Sequence, residues 1–593
     1  MANLNLKRKK YTTSDDPIQY VLRRDLSGGV NTRQHEQVIG ETQAVTLRNI
    51  LLETAGARTL RTGSTRIDAT YPTGAGAGVG LFGFDPDGGS FELLAVQRNY
   101  LSGWGGSGAF NSPYKSDLTT GLPTTIIKAG MSGQGEIALI SNGTDNVFSM
   151  LSDHTMADLG DTFQSPPKTT ALCYYGNRVW ALYNNGLFFS DAYPGGSGLG
   201  TVTTAGTTAL VGVGTNFLND FTIGSVIDVT GETVRTVASV TDNTHLTVTV
   251  AFATTAGSLA YNVRTYANAF DRYTNVFRVP VGQQIGIVGT REQGIICFGS
   301  DQVWKLLPSM IPDPTTDFPE RVLDMGCTAA NTIVQVADDI IFLAPDGVRG
   351  LFRTQLDKLQ TGQSFPLSWN LQDEFDSINF AQVDKACAVF FENKYIISVP
   401  TGTANYNNQC WAYYPGMKGW VIYDGWNISH FAKMRVGGQE RLYGIDSVTG
   451  QVYRLFSGTT DSGTAIVFQE DSRSEDFGEP LKSKLGGEFK VRAEGGNGTL
   501  VMSAQIDGLG WTQLGTMDLV VVEGVVFPSG TGTITFPVHF GNVAEAKGIW
   551  HLDDVGIQNF KRCKFRIYSN SSGADITILE SVATAFVEEY LSE

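Results

Sequence analysis

Residues 301–306 read DQVWKL, and close variants return at 145–150 (DNVFSM), 177–182 (NRVWAL) and 450–455 (GQVYRL). Each opens on one or two polar residues, then places Val, an aromatic or large ring, one free position and an apolar residue. Successive side chains on a strand point to opposite faces, so the Val and the ring beside it must pack against different neighbours. A strand filled on both sides and written several times along one chain predicts small sheets stacked face to face, the blades of an irregular β-propeller. Burying Trp180 or Trp304 would withdraw about 150–250 Å² from water, worth at most about 4–6 kcal/mol at roughly 25 cal/mol per Å².

The spacing supports that reading. Val147 to Val179 is 32 residues and Val179 to Val303 is 124; setting residues 200–262 aside leaves an interval close to twice the first. Around these strands lie hairpin-sized units such as ACAVFFENKYIISVP (386–400), with turns expected at Ala337-Asp338-Asp339 and Glu392-Asn393-Lys394. Residues 200–262 are rich in Thr, Val and Gly and alternate cleanly, with turns at Gly231-Glu232 and Asp242-Asn243. They are expected to form a small β-barrel.

At 593 residues the chain exceeds what one core accommodates. Its 69 Gly and 33 Phe favour turns and strands, so the fold class is all-β. The expected organisation is an N-terminal arm (1–25), a folded lead-in with the first blades (26–199), the inserted barrel (200–262), the remaining blades (263–456) and a C-terminal β-sandwich (457–593). Within the lead-in, residues 41–49 are expected to form a short helix, followed by a Gly-terminated return to strand.

A net charge of −16 argues against general nucleic-acid binding. The basic run Lys7-Arg8-Lys9-Lys10 lies in the expected arm. Six cysteines (173, 297, 327, 387, 410, 563) are far apart, without CxxC spacing and mostly beside apolar residues, which reads as buried thiols. No apolar run approaches 18 residues and no signal-peptide core follows the N-terminus, so the expectation is a soluble chain without an export signal.

Chemistry is sparse. Two stretches match GxGxxG, Gly78 to Gly83 and Gly103 to Gly108, but neither leads into a helix whose N-terminus would meet a pyrophosphate. There is no GxxxxGK[ST], HExxH or GxSxG. The six histidines (35, 154, 245, 430, 539, 551) lie in separate segments. Asp85 and Asp87 in DPDGG are compatible with Ca²⁺, though a hairpin turn accounts for them equally. Paired glycosidase carboxylates converge in space and leave no local signature. Of the S-x-D-x-G-x-T-W boxes typical of propeller sialidases, only TTDSGTAIVF (459–468) comes near. No catalytic, cofactor-binding or metal residue is assigned, and a chain without catalysis or cofactor is expected.

Three stretches, in order, resemble the tail nozzle or tail stabilisation proteins of short-tailed bacteriophages. They are residues 26–67 (LSGGVNTRQHEQVIG…TLRTGSTRI), the blade segments NRVWALYNNGLFFSD (177–191), IGIVGTREQGIICFGSDQVWKL (285–306) and TIVQVADDIIFLAPDGVRGL (332–351), and KSKLGGEFKVRAEGGNGTLVMSAQIDG (482–508). The resemblance covers about two thirds of the chain; residues 200–262 depart from it and are similar to Thr-rich modules of phage structural proteins. It implies a homohexameric ring in the virion tail, assembled in the host cytoplasm below the portal and adaptor and carrying fibres, spike or needle proteins. Genomic DNA would cross its lumen without specific binding, an acidic lumen offering no counterion release. The alternative is a propeller glycosidase, depolymerase or glycan-binding protein acting on host-surface polysaccharide.

Overall fold

Alternation of buried and exposed side chains produces strands along nearly the whole chain, and the computed structural model is all-β with a few short helices. It describes residues 18–52, 56–68, 76–86, 91–130, 136–191, 198–221, 226–233, 235–262, 269–309, 312–520, 528–529, 532–533 and 545–587.

Seven small antiparallel sheets follow one another from residue 78 to 455. Their first strands are Gly78–Phe84, Thr125–Ala129, Leu172–Tyr175, Gln284–Thr290, Val334–Val336, Cys387–Phe391 and Ile428–Val436. These first strands pack successively on one another, with the 3-10 turn Ala330–Thr332 bridging the fourth and sixth sheets, and Ile428–Val436 returns to pack on Gly78–Phe84. The cycle is closed and propeller-like. Tight turns keep each sheet narrow: Glu392 and Asn393 both adopt positive φ, 45° and 59°, giving the two-residue hairpin that pairs Phe391 with Lys394.

Most junctions in the cycle have their own core, those among sheets 5 to 7 sharing one with the C-terminal region, and the recurrent dipeptide divides between two cores. Val147 lies in the core between sheets 2 and 3, and Phe148 in that between sheets 1 and 2. Val303 fills the junction of sheets 4 and 5, while Trp304 packs on that of sheets 3 and 4. Val452 and Tyr453 divide in the same way between the cores on either side of sheet 7. The NRVWAL copy is reversed: Val179 faces sheet 2 and Trp180 faces sheet 4. Its strand, Arg178–Tyr183, is the second of its sheet, whereas Phe148–Met150, Val303–Leu306 and Val452–Leu455 are third strands. The 32-residue interval is therefore not a repeat of equivalent positions.

The lead-in belongs to the far end of the chain. Its strand Ser64–Arg66 becomes the fourth strand of sheet 7, paired with Val452–Leu455. Thr46–Arg48 bridges Gly419–Tyr423 of sheet 6 and pairs with Phe468–Asp471, which continues into the C-terminal strands. The expected helix over 41–49 is instead the strands Gln43–Ala44 and Thr46–Arg48; the ladder to Phe468–Asp471 overrides local helix propensity. Ile18–Arg23, read as part of an arm, is a strand paired with Asp575–Val587; residues 1–17, with Lys7 to Lys10, lie outside the described residues.

In the C-terminal region the 23-residue strand Lys484–Ile506 takes two sets of partners within one 14-stranded sheet that also includes sheet 6. Its first half pairs with Asp575–Val587 and Glu545–His551, its second with Thr512–Val520 and Cys563–Ser569. One core spans these strands and sheets 5 to 7. Buried ion pairs cross it: Arg58 Nε donates to Glu470 Oε2 at 2.8 Å with both side chains at most 2% exposed, Arg61 meets Asp461 at 2.6 Å and Arg23 meets Glu475 at 3.0 Å.

Residues 201–262 emerge within sheet 3, between its strands Gly186–Phe189 and Val276–Arg278, around a separate core. Their seven strands form one sheet with Thr255–Leu259 and Tyr261–Asn262 at its two edges. The expected barrel is not closed. Those edge strands are joined covalently through residue 260, and no ladder connects them among the described residues.

Candidate functional site

Two places gather chemistry. The first is the axis of the cycle. Its seven first strands contribute Lys128, His430, Lys433 and Arg435 and not one Asp or Glu. A cavity of about 420 Å³ opens beside it, lined by Ile127, Lys128, Glu136, Tyr174, Ile287 and Val288 among others. Lys128 Nζ lies 2.9 Å from the carboxylate of Glu136 and donates to the carbonyl of Asp85 at 2.6 Å. The ammonium is thus held by its own sheet and by the one before it. At the opposite end His430 Nε2 and Asn331 Nδ2 are 3.2 Å apart, linking sheet 7 to the segment entering sheet 5. Burial lowers the pKa of His430 to about 4, so the imidazole is neutral at physiological pH. Its Nδ1 is buried without a hydrogen-bond partner.

The second place is a carboxylate, imidazole and phenol cluster where sheets 1 and 2 meet. Glu92 opens the strand Glu92–Gln97 and is almost fully buried. Tyr114 and Asn111 Nδ2 donate to its Oε1, and His154 Nε2 lies 2.9 Å from its Oε2. Tyr114 stacks on His154 with ring centroids 4.3 Å apart and planes 8° from parallel. Burial, reinforced by the hydrogen bond to Glu92, pushes the Tyr114 pKa well above the usual phenol value, so this hydroxyl stays protonated and donates. A buried carboxylate orienting a half-exposed imidazole is an acid–base pair; it also ties the 151–155 turn of sheet 2 to sheet 1.

The residues singled out in the sequence do not converge. Gly78, Gly80 and Gly83 lie in the strand Gly78–Phe84. A Cβ at Gly83 would approach Lys433 O to 2.1 Å, so this glycine serves close packing of sheet 1 on sheet 7. Gly103 lies within the strand Tyr100–Trp104 and no helix follows Gly108. Asp87 and His539 fall outside the described residues. His245 sits beside Asp242 on the inserted sheet and His551 near Glu488 in the C-terminal sheet, far from either cluster in chain and fold. Among the described residues no three His, Cys, Asp or Glu side chains gather as for a metal ion. All six cysteines are buried free thiols. Asp461, in the one near match to a sialidase box, is the buried partner of Arg61. The Glu92 cluster was missed because its members are separated by 22 and 40 residues; only Glu92, heading an otherwise largely apolar strand, hinted at it.

No family model and no curated protein matches the chain. Among solved structures it is similar to an exo-β-1,3-galactanase from Phanerochaete chrysosporium with galactose, at 9% identity and a TM-score of 0.21, over 79% of this chain and 97% of that one. It is also similar to a mutant Trypanosoma rangeli sialidase displaying trans-sialidase activity, at 9% identity and a TM-score of 0.23, over 91% and 96%. PorZ of Porphyromonas gingivalis, a surface component of the type-IX secretion system, matches at 14% identity and a TM-score of 0.21, over 67% and 53%. The expectation of a chain without catalysis is corrected by the glycosidases and the sialidase in this set, and it is not carried forward.

Proposed function

We propose that this chain is a structural protein of a short bacteriophage tail, a seven-bladed propeller with one inserted sheet and a C-terminal strand module. In this reading six copies form the ring-shaped nozzle below portal and adaptor, supporting fibres, spike or needle proteins while DNA crosses the lumen between copies. The observation that carries it is the N-terminal lock. Residues 46–52 and 56–66 hydrogen-bond to the last sheet of the cycle and to the C-terminal strands together, and Arg58 and Arg61 anchor them through buried ion pairs. A cycle closed by its own N-terminal segment cannot open without breaking those pairs, which suits a part that bears load during ejection. The phage resemblance falls on this lead-in, the blades and the C-terminal module in chain order.

The deciding experiment images the purified full-length protein by negative stain and measures its mass in solution. A six-copy ring with a pore that does not retain duplex DNA at physiological salt is expected. A 64.0 kDa monomer that cleaves polysaccharide would overturn the reading.

A second reading, action on host-surface glycan, is favoured by the Glu92, His154 and Tyr114 cluster. It predicts hydrolysis of a capsular or cell-wall polysaccharide that is lost in Glu92→Gln while the fold is retained. Glycan release unchanged by Glu92→Gln, or absent from the wild type, removes it.

A further inference from the structure

The strand faces that meet between sheets 3 and 4 are apolar, but one face of sheet 7 is not. Tyr453 lies opposite Arg66 and Leu455 opposite Ser64 in the ladder to the lead-in. Across the neighbouring hairpin Asp446 and Gln451 face each other, Asp446 N donating to Gln451 O. Gln451, Tyr453 and Leu455 alternate onto one side of their strand. Tyr453 and Leu455 pack on the large core there, while Val452 fills the core toward sheet 1. The side away from sheet 1 thus carries a guanidinium, a carboxylate, a carboxamide and a phenol. Asn427, in the connection from sheet 6, and Ser462 close it into a pocket of about 410 Å³, inside the range of about 300–1,000 Å³ that holds small molecules. An apolar ligand would find little to bury against, since Trp426, Ile428 and Leu455 in its wall are each only 2% exposed.

Hydrogen bonding within the chain leaves particular atoms for a ligand. Both oxygens of Asp461 are taken, by Arg61, Ser64 and the Trp426 indole. Asp446 Oδ1 accepts from the backbone N–H groups of Val448 and Thr449 and from the Thr449 hydroxyl, while Oδ2 has no hydrogen-bond partner among the described residues. The network orients the Gln451 carboxamide with its oxygen on the Arg66 guanidinium, at 2.6 and 2.8 Å, and its nitrogen donating to Tyr453 Oη at 2.9 Å. The phenol therefore keeps its own hydrogen to give, and the half-buried Asn427 amide adds donors and an acceptor. Arg66 balances Asp446 as Arg61 balances Asp461, so the recess has no net charge to reward an ion. An anion would meet the Asp446 carboxylate, and a metal ion the Arg66 guanidinium. We propose that this pocket binds a neutral sugar unit, Asp446 Oδ2 accepting from its hydroxyls and Tyr453 and Asn427 donating to them. The site is separate from the Glu92 cluster, and it does not depend on the ring.

The test is calorimetric titration of the full-length protein with glucose, galactose and N-acetylglucosamine, with lactose and cellobiose as short chains and N-acetylneuraminic acid as the acidic comparison. Saturable binding of a neutral sugar is expected, with the acidic sugar about tenfold weaker or more. Asp446→Asn keeps the turn acceptor and loses the free carboxylate oxygen, and Tyr453→Phe removes the phenol hydroxyl. The first should weaken binding about tenfold or more and the second about threefold or more, as for loss of a charged and a neutral hydrogen bond. Tyr273→Ala, at a 79% exposed tyrosine outside the pocket, should bind as the wild type does. Lactose or cellobiose binding at least as tightly as the single sugars supports the pocket with a glycan chain as source, and single sugars binding alone supports it with a free sugar. No saturable binding of any neutral probe overturns the proposal. So does an affinity unchanged in both pocket variants, or tighter binding of N-acetylneuraminic acid than of every neutral sugar.

Discussion

The cycle of sheets and the N- to C-terminal junction are held together in opposite ways. The junction of sheets 3 and 4 is apolar and local: Trp180, Leu182, Phe189, Phe277 and Ile295 fill it from segments that follow each other in the chain. The junction of the two chain ends adds charge at long range, with Arg58 to Glu470 and Arg61 to Asp461 joining residues 412 and 400 positions apart. The apolar junctions tolerate changes of shape in proportion to the volume lost. The ion pairs do not, because removing one member strands a charge where water cannot reach it.

The largest effect is therefore expected at the junction. Arg58→Ala leaves Glu470 buried and unpaired and should cost about 3–5 kcal/mol, measured by chemical denaturation of the full-length protein. Combining Arg58→Met with Glu470→Leu removes the stranded charge, and the double variant should be more stable than Arg58→Ala. A double variant as unstable as the single one would mean that the pair contributes packing shape rather than charge balance.

Within the cycle, Trp180→Ala should cost about 3–5 kcal/mol, the range for deleting a buried aromatic. Trp180 is only 1% exposed and also donates its indole N–H to Tyr175 O. Trp304 occupies the corresponding motif position but is half-buried, and its indole bonds to the neighbouring Gln302. Trp304→Ala should cost clearly less. Equal losses at the two sites would break the link between burial and cost on which the contrast rests.

The same contrast explains what the sequence made legible. Two-sided filling was readable because Val and the ring are adjacent and strand geometry alone sends them to opposite faces; Val147 with Phe148 and Val303 with Trp304 divide as that geometry requires. The reversed copy at Val179 and Trp180 was not readable, because nothing local distinguishes a second strand from a third. The lead-in was misread as carrying a helix since the partner strand of Thr46–Arg48 lies more than 400 residues away. The Glu92 cluster and the arginine pairs escaped for the same reason: a buried charge is identifiable only once its partner is known.

The inserted sheet sharpens the comparison from a third side, for among the described residues its core holds the carboxylate of Asp220 with a tyrosine and not a cation as partner. Asp220 is 4% exposed and accepts from Tyr261 Oη at 3.1 Å. Burial raises its pKa from 3.8 to about 6, the tyrosine hydrogen bond offsetting part of the rise. Between those values the folded insert binds more protons than the unfolded one, so its stability falls as pH rises from 3.8 through 6 and is flat beyond. At about 1.4 kcal/mol per unit the loss is on the order of 2–3 kcal/mol at neutral pH. Asp220→Asn should abolish that slope and slow amide exchange of residues 201–262 at pH 7 relative to the wild type, while exchange in the seven sheets is unchanged. If the wild-type insert is equally protected at pH 5 and pH 7, the carboxylate is solvated in a way that its contact with Tyr261 does not convey.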